Sequence, residues 1–183
     1  MNISNLAELL LSPEEKIEMQ NSVQMLETRK FSEFYRINQN IVRSILFIES
    51  VDEFLDFSNE NTLDIECFCA AFLCAKGYGV QVGGYEDDLT QALTSFFKTK
   101  KFDNPTIFEI INSEKIYTDC SDYDNFKKSM TAINSVFDPD GVRVIVFEDF
   151  VYCDCEYTML LVDNDMADRL TSSWQSDNFE VYL

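Results

Sequence analysis

Histidine is missing from all 183 residues. That removes the usual general base near neutral pH and the commonest metal ligand together. Glycine is scarce, at five residues, and proline scarcer, at three. Gly77-Tyr-Gly79 is the nearest approach to a phosphate loop, and it lacks both the following glycine spacing and a Lys-Ser/Thr ending. No Gly-x-Ser-x-Gly nucleophile turn occurs. No apolar run approaches the roughly 20 residues of a membrane helix. The opening Met1-Asn-Ile-Ser-Asn-Leu-Ala-Glu8 has no basic region before its short apolar run, so no signal peptide is expected. A cytoplasmic protein is the consistent expectation.

Positive charge is also in short supply. Fourteen Lys and Arg face 33 Asp and Glu, for a net charge of −19. Nucleic acid and anionic membrane would both be repelled, and neither is expected as a partner. A basic protein partner fits the charge, as does simple solubility. The imbalance grows along the chain: residues 129–183 hold eleven acids against Arg143 and Arg169 alone.

Aromatics are plentiful, with sixteen Phe and eight Tyr, enough apolar area for a core without disulfides or metal. The cysteines are Cys67, Cys69, Cys74, Cys120, Cys153 and Cys155. Two Cys-x-Cys pairs do not match zinc knuckles, which leave two to four residues between ligands. Buried free thiols acting as small hydrophobes are expected, with no metal and no cofactor.

The strongest core signal is Val142–Val162. Val142–Phe147 is a β-branched and aromatic run, the composition of a strand covered on both faces. From Cys153 the chain alternates. Cys153, Cys155, Tyr157, Met159 and Leu161 fall on one face and Asp154, Glu156 and Thr158 on the other, as in a half-buried strand. An antiparallel hairpin turning at Glu148-Asp149, or one or two residues later, joins the two.

Helices are expected ahead of it. They cover 5–11, then a segment opened by the Ser12-Pro-Glu-Glu15 capping box, then a stripe of Phe34, Ile37, Ile41, Ile45 and Ile48. Ser50-Val-Asp-Glu53 opens another helix carrying Phe54, Leu55 and Phe57, followed by a polar loop over 59–62. A helix over 63–76, apolar on all sides, stops at Gly77. A strand over 78–82 follows, then amphipathic helices after Tyr85–Asp88 and Asn104-Pro105, and a brief strand over 115–118. Ser121 opens a helix with Phe126, Met130, Ile133 and Phe137 in a stripe, and Asp138-Pro-Asp-Gly141 makes a turn. Asp163 to Asp165 cap a last helix with Met166, Leu170 and Trp174, and 179–183 return as a strand. The layout is one α+β domain over 1–183, a helix-rich N-terminal half packed with a small, mainly antiparallel sheet.

Three stretches combine acids with tyrosines: 85–88, 117–124 and 148–157. Tyr is a rigid amphipathic anchor, and acids steer a basic partner. The expected contact set is Glu148, Asp149, Tyr152, Asp154 and Glu156, with no catalytic residue. Asp163, Asp165 and Asp168 are the one carboxylate group that could hold a divalent cation, although helix capping and first-turn charge account for them.

The acidic hairpin Glu148–Tyr157 and the passage from Tyr157 to Leu170 resemble those of small, acidic, bacterial α+β proteins that include toxin-immunity proteins. The resemblance covers the final third of the chain. It implies a non-enzymatic protein that neutralises a basic toxin domain by binding it. The alternatives are a scaffold whose acids only maintain solubility, and a metal hydrolase using the three aspartates.

Overall fold

The computed structural model describes residues 1–82, 94, 96, 123–149, 156–176 and 179–182. It divides into two compact units, 2–76 and 77–183, the second including Met1. The first is all helix: α1 (Ile3–Leu10), α2 (Pro13–Glu27), α3 (Phe31–Leu46), α4 (Val51–Glu60) and α5 (Ile65–Ala75).

Local sequence sets most of these boundaries. Ser12 Oγ accepts from the Glu15 N–H while a Glu15 carboxylate oxygen accepts from the Ser12 N–H, with Pro13 in the first turn. Ser50 and Glu53 repeat the arrangement at α4. Each cap is worth about 1 kcal/mol. α1 begins two residues earlier than expected, because Asn2 and Asn5 form the same reciprocal box with amides instead of Ser and Glu. α4 continues through Glu60, so most of the expected loop over 59–62 is its last turn and C-cap. Asp64 caps α5, and Gly77, at φ +81°, follows its end in the left-handed conformation that glycine adopts without strain.

α5 is the hub of this unit, and Cys67 to Leu73 are all buried, as an apolar helix enclosed by neighbours requires. Phe68 meets Phe34 at 5.2 Å between ring centroids and Phe72 at 5.8 Å, while Phe54 lies 5.7 Å from Phe34. Such pairs add about 0.5–1.5 kcal/mol each beyond the area they bury. Cys67 and Cys69 are buried free thiols and Cys74 is half-buried; Cys120, Cys153 and Cys155 lie outside the described residues.

The inward stripe of α3 differs from the expected one. Ile37 is 54% exposed, and the buried row is Phe34, Asn38, Ile41 and Ile45. A polar residue therefore holds a core position. Asn38 Nδ2 donates to Ser22 Oγ on α2 and to the Phe34 carbonyl, both at 3.1 Å, and Ser22 Oγ donates to the Glu18 carbonyl at 3.0 Å. The Phe34 carbonyl is the one the helical ladder assigns to the Asn38 N–H. Competition for it accounts for the non-helical φ/ψ of −108°, 22° at Asn38, where α3 kinks.

The second unit holds a four-stranded sheet of β1 (Gly79–Val82), β2 (Val142–Asp149), β3 (Glu156–Asp163) and β4 (Phe179–Tyr182), in the order β1-β3-β2-β4. All three ladders are antiparallel. Helix α6 (Tyr123–Phe137) leads through a 3-10 turn at Asp138–Asp140 and Gly141 into β2, and α7 (Asn164–Ser173) follows β3 directly. Met130, Ile133 and Phe137 of the expected α6 stripe are buried, and the Phe126 side chain lies outside what is described.

β2 is an interior strand with Val144 to Phe147 all buried, as its composition requires. β3 is interior as well, and here the half-buried expectation is corrected. Thr158, expected on the solvent face, is 1% exposed, and Met159 and Leu160 are both buried. β1 supplies the unexpected cover on the β3 edge, and Gln81 Nε2 reaches Thr158 Oγ1 at 3.5 Å. β1 can lie so close because Gly79 has no side chain: a Cβ there would meet the Met159 carbonyl oxygen and Leu160 Cδ2 at 2.3 Å. Ala167 and Leu170 of α7 are buried, and Trp174 at its C-cap lies 5.0 Å from the Phe147 ring.

The expected features of 83–122 other than residues 94 and 96, the Ser121 cap included, fall outside the described residues. The described chain is α+β with a helix-rich N-terminal half, and no helix in it is long and apolar enough to cross a membrane.

Candidate functional site at the hairpin end of the sheet

The β2–β3 ladder runs from Val142↔Asp163 to Asp149↔Glu156. Glu148 and Asp149 are therefore strand residues, and the connection between the strands falls in 150–155. Of the two placements expected for the turn, the register excludes Glu148-Asp149 itself and leaves the later one. The strand continues because β4 pairs with β2 over Val146 to Asp149 and gives the far end of β2 a second neighbour.

Register decides which acids stand together. Glu148 is opposite Tyr157 on β3 and Glu180 on β4, while Asp149 is opposite Glu156 on β3 and Phe179 on β4. Successive strand residues belong to opposite faces. The expected contact residues thus fall into two rows, Glu148 in one and Asp149 with Glu156 in the other. Tyr152 and Asp154 lie outside the described residues. Glu180 was not anticipated. Its strand was expected, but its signal needed knowledge of which strand it pairs with, and alternation within 179–183 does not carry that.

Acid thus holds the position opposite acid twice at one end of the sheet, an arrangement that costs stability between strands. The one basic residue of β2, Arg143, is five positions away, roughly 16 Å at 3.3 Å per residue. That distance exceeds the Debye length of about 8 Å at physiological salt. Arg143 is also occupied, with Nη1 3.5 Å from Asp168 Oδ1. It does not offset the charge at the hairpin end.

The three aspartates weighed for a cation have other duties. Asp163 caps α7 by accepting from the Met166 N–H at 2.7 Å, Asp168 faces Arg143, and Asp165 is exposed in the first turn. Among the described residues no three His, Cys, Asp or Glu side chains come together as a metal site.

The helical unit has its own surface groove, about 300 Å³, between α1, α2 and α5. Met19, Val23, Ile65 and Cys69 contribute its apolar lining, and Glu8 and Glu27 its acids. Ser4 Oγ donates to Cys69 Sγ at 3.7 Å, but burial dominates and pushes the thiol up to about 11. At neutral pH Cys69 is a thiol and not a thiolate, which is a poor nucleophile.

No protein family, curated protein or solved structure matches the chain.

Proposed function

We propose that this chain is a cytoplasmic, non-enzymatic protein-binding module of the toxin-immunity kind, which takes a basic face of its partner against the hairpin end of its sheet. One observation carries the reading. The strand register sets Glu148 opposite Glu180 and Asp149 opposite Glu156, with the nearest basic residue of the strand roughly 16 Å away and already paired. Like charges in opposed positions weaken a sheet, and a cationic partner offsets that cost. The same field draws the partner in, so its effect belongs mainly to the association rate and fades with salt. Tyr152 and Asp154, outside the described residues, complete the proposed contact set.

A metal hydrolase built on Asp163, Asp165 and Asp168 has less behind it, because two of the three are engaged in capping and in an ion pair. The scaffold reading leaves the opposed acids without a role.

The test is to capture partners from the native host, then follow association by stopped flow across a salt series. The two proteins compared are the wild type and a Glu148→Gln/Asp149→Asn/Asp154→Asn/Glu156→Gln variant. The expected result is an association rate at least tenfold lower for the variant at low salt, with a flatter salt dependence. Equal rates and equal slopes would reduce the hairpin end to a solvated surface.

A further inference from the structure

The turn between α3 and α4 presents a large aromatic side chain to water in a backbone conformation that does not suit it. Phe47 is 76% exposed and sits at φ 55°, ψ 25°, the left-handed region that L-residues other than Asn, Asp and Gly adopt at a cost. Arg29, at the end of α2, makes the same excursion at φ 56°, but with a side chain that water solvates well. Phe47 has no such compensation. Val51, four residues on, is 37% exposed, and Ile48 between them is half-buried.

The turn is also held firmly. The Phe47 N–H donates to the Arg43 carbonyl at 3.1 Å, and Arg43 Nη2 donates to the Glu49 carbonyl at 3.2 Å while its Nε lies 3.0 Å from the Glu49 carboxylate. One oxygen of Glu53 then accepts from the N–H groups of both Glu49 and Ser50. A strained residue persists where its surroundings fix it, and strain of this kind marks ligand clamps and binding surfaces. An exposed aromatic on a pre-set turn loses little freedom when it docks, which is the condition for an interface anchor.

The charge beside it states what docks. Glu49, Asp52, Glu53 and Asp56 are all exposed around the turn, and Arg43, the nearby cation, is committed to Glu49. We propose that Phe47, with Val51 beside it, is a second protein-docking surface, one that inserts into an apolar pocket rimmed by Lys or Arg. The inference shares protein binding with the proposed function, but it rests on residues of the helical unit alone.

The experiment selects from a displayed library of random twelve-residue peptides on the whole chain, with Phe47→Asn as the comparison. Asn tolerates the left-handed region, so this variant keeps the turn while removing the ring; Phe47→Gly is the second. Both are expected to melt at or above the wild-type temperature. Selected peptides are expected to combine Lys or Arg with apolar residues and to lose at least tenfold in affinity for both variants. They should bind the Glu148→Gln/Asp149→Asn/Asp154→Asn/Glu156→Gln variant undiminished, which separates this surface from the hairpin end. An empty selection, peptides indifferent to Phe47, or peptides without basic residues would each overturn the inference. Unfolding of both variants would make Phe47 a structural residue and overturn it too.

Discussion

Replacing Asn134 tests how the open edge of β2 is satisfied. Among the described residues, β4 pairs with β2 from Val146 to Asp149. Two residues earlier the side-chain amide of Asn134, on α6, takes both backbone groups of Val144. Oδ1 accepts from the Val144 N–H at 2.8 Å and Nδ2 donates to the Val144 carbonyl at 3.0 Å. The amide stands in for the next ladder pair. Asn134 is 9% exposed and Val144 1%, so water does not readily replace it. Asn134→Leu keeps the branched shape, with larger methyl ends, but orphans two buried backbone groups, at about 1–3 kcal/mol each. Apolar burial of the new side chain returns roughly 1 kcal/mol, which leaves a net loss of about 1–5 kcal/mol. Asn134→Asp keeps the acceptor and turns the donor into a second oxygen facing the Val144 carbonyl. Burial and that repulsion raise its folded-state pKa above the ordinary value of about 4. A raised carboxyl pKa means the native state holds its proton more tightly than the unfolded one. The deficit is therefore full at neutral pH and shrinks as pH falls through the raised pKa, where the acid can donate again. Urea titrations followed by the single tryptophan, Trp174, whose ring lies beside Phe147 of β2, report this unit directly. Asn134→Leu within 0.5 kcal/mol of wild type, the roughly neutral range for surface substitutions, would refute the edge-satisfaction argument. So would an Asp variant whose deficit does not change with pH.

Three further outcomes are expected. Gly79→Ala should loosen β1 and cost about 1–3 kcal/mol, because the new Cβ meets a backbone oxygen that cannot yield; unchanged stability in urea would contradict the close approach. Val144→Asp and Val146→Asp each place a charge where exposure is 1%, and should lose at least about 3 kcal/mol or fail to fold, read by thermal denaturation. Cys69, with its thiol pushed up to about 11, should resist alkylation at pH 8 until the chain is unfolded, as peptide mapping by mass spectrometry would show. Between the ordinary thiol value of 9.0 and about 11 the unfolded chain ionises at Cys69 and the fold does not, so stability falls as pH rises through that window. A Cys69→Ala variant should show a shallower fall.

Many patterns set by neighbours along the chain are legible in the sequence, although the Asn2–Asn5 box and the last turn of α4 are not, and patterns set by distant partners are less so. Ser12 with Glu15, Ser50 with Glu53, and Asp163 all cap where local chemistry requires. The β-branched run of β2 is an interior strand because nothing else covers four consecutive apolar residues on both faces. Asn38 defeated the reading of α3 because a core position was assigned by residue type. Ile37 looked like the better choice, and only the Ser22 hydroxyl on another helix makes an amide acceptable inside. Thr158 was missed for a similar reason. Its hydroxyl is buried by the β1 edge, and β1 reaches that edge only because Gly79 is bare. Gly77-Tyr-Gly79 is no phosphate loop by its spacing; its two glycines serve a helix stop and a close strand contact.

The acidic surface divides along the same line. Composition makes the excess of acid plain, and alternation separates the faces of one strand, but neither says which acids from different strands become neighbours. That depends on β4 lying beside β2, a contact between residues thirty or more apart in sequence. Had the chain placed β4 beside β1 instead, Glu180 would have had no acid opposite it. Glu148 would then have lacked its Glu180 neighbour, and only the Asp149–Glu156 pair would have remained in opposition. The strand order therefore adds a cost that another order of the same strands would avoid. On the proposed reading a cationic partner surface offsets that cost, so the strand order and the binding mode stand or fall together in the salt-series experiment.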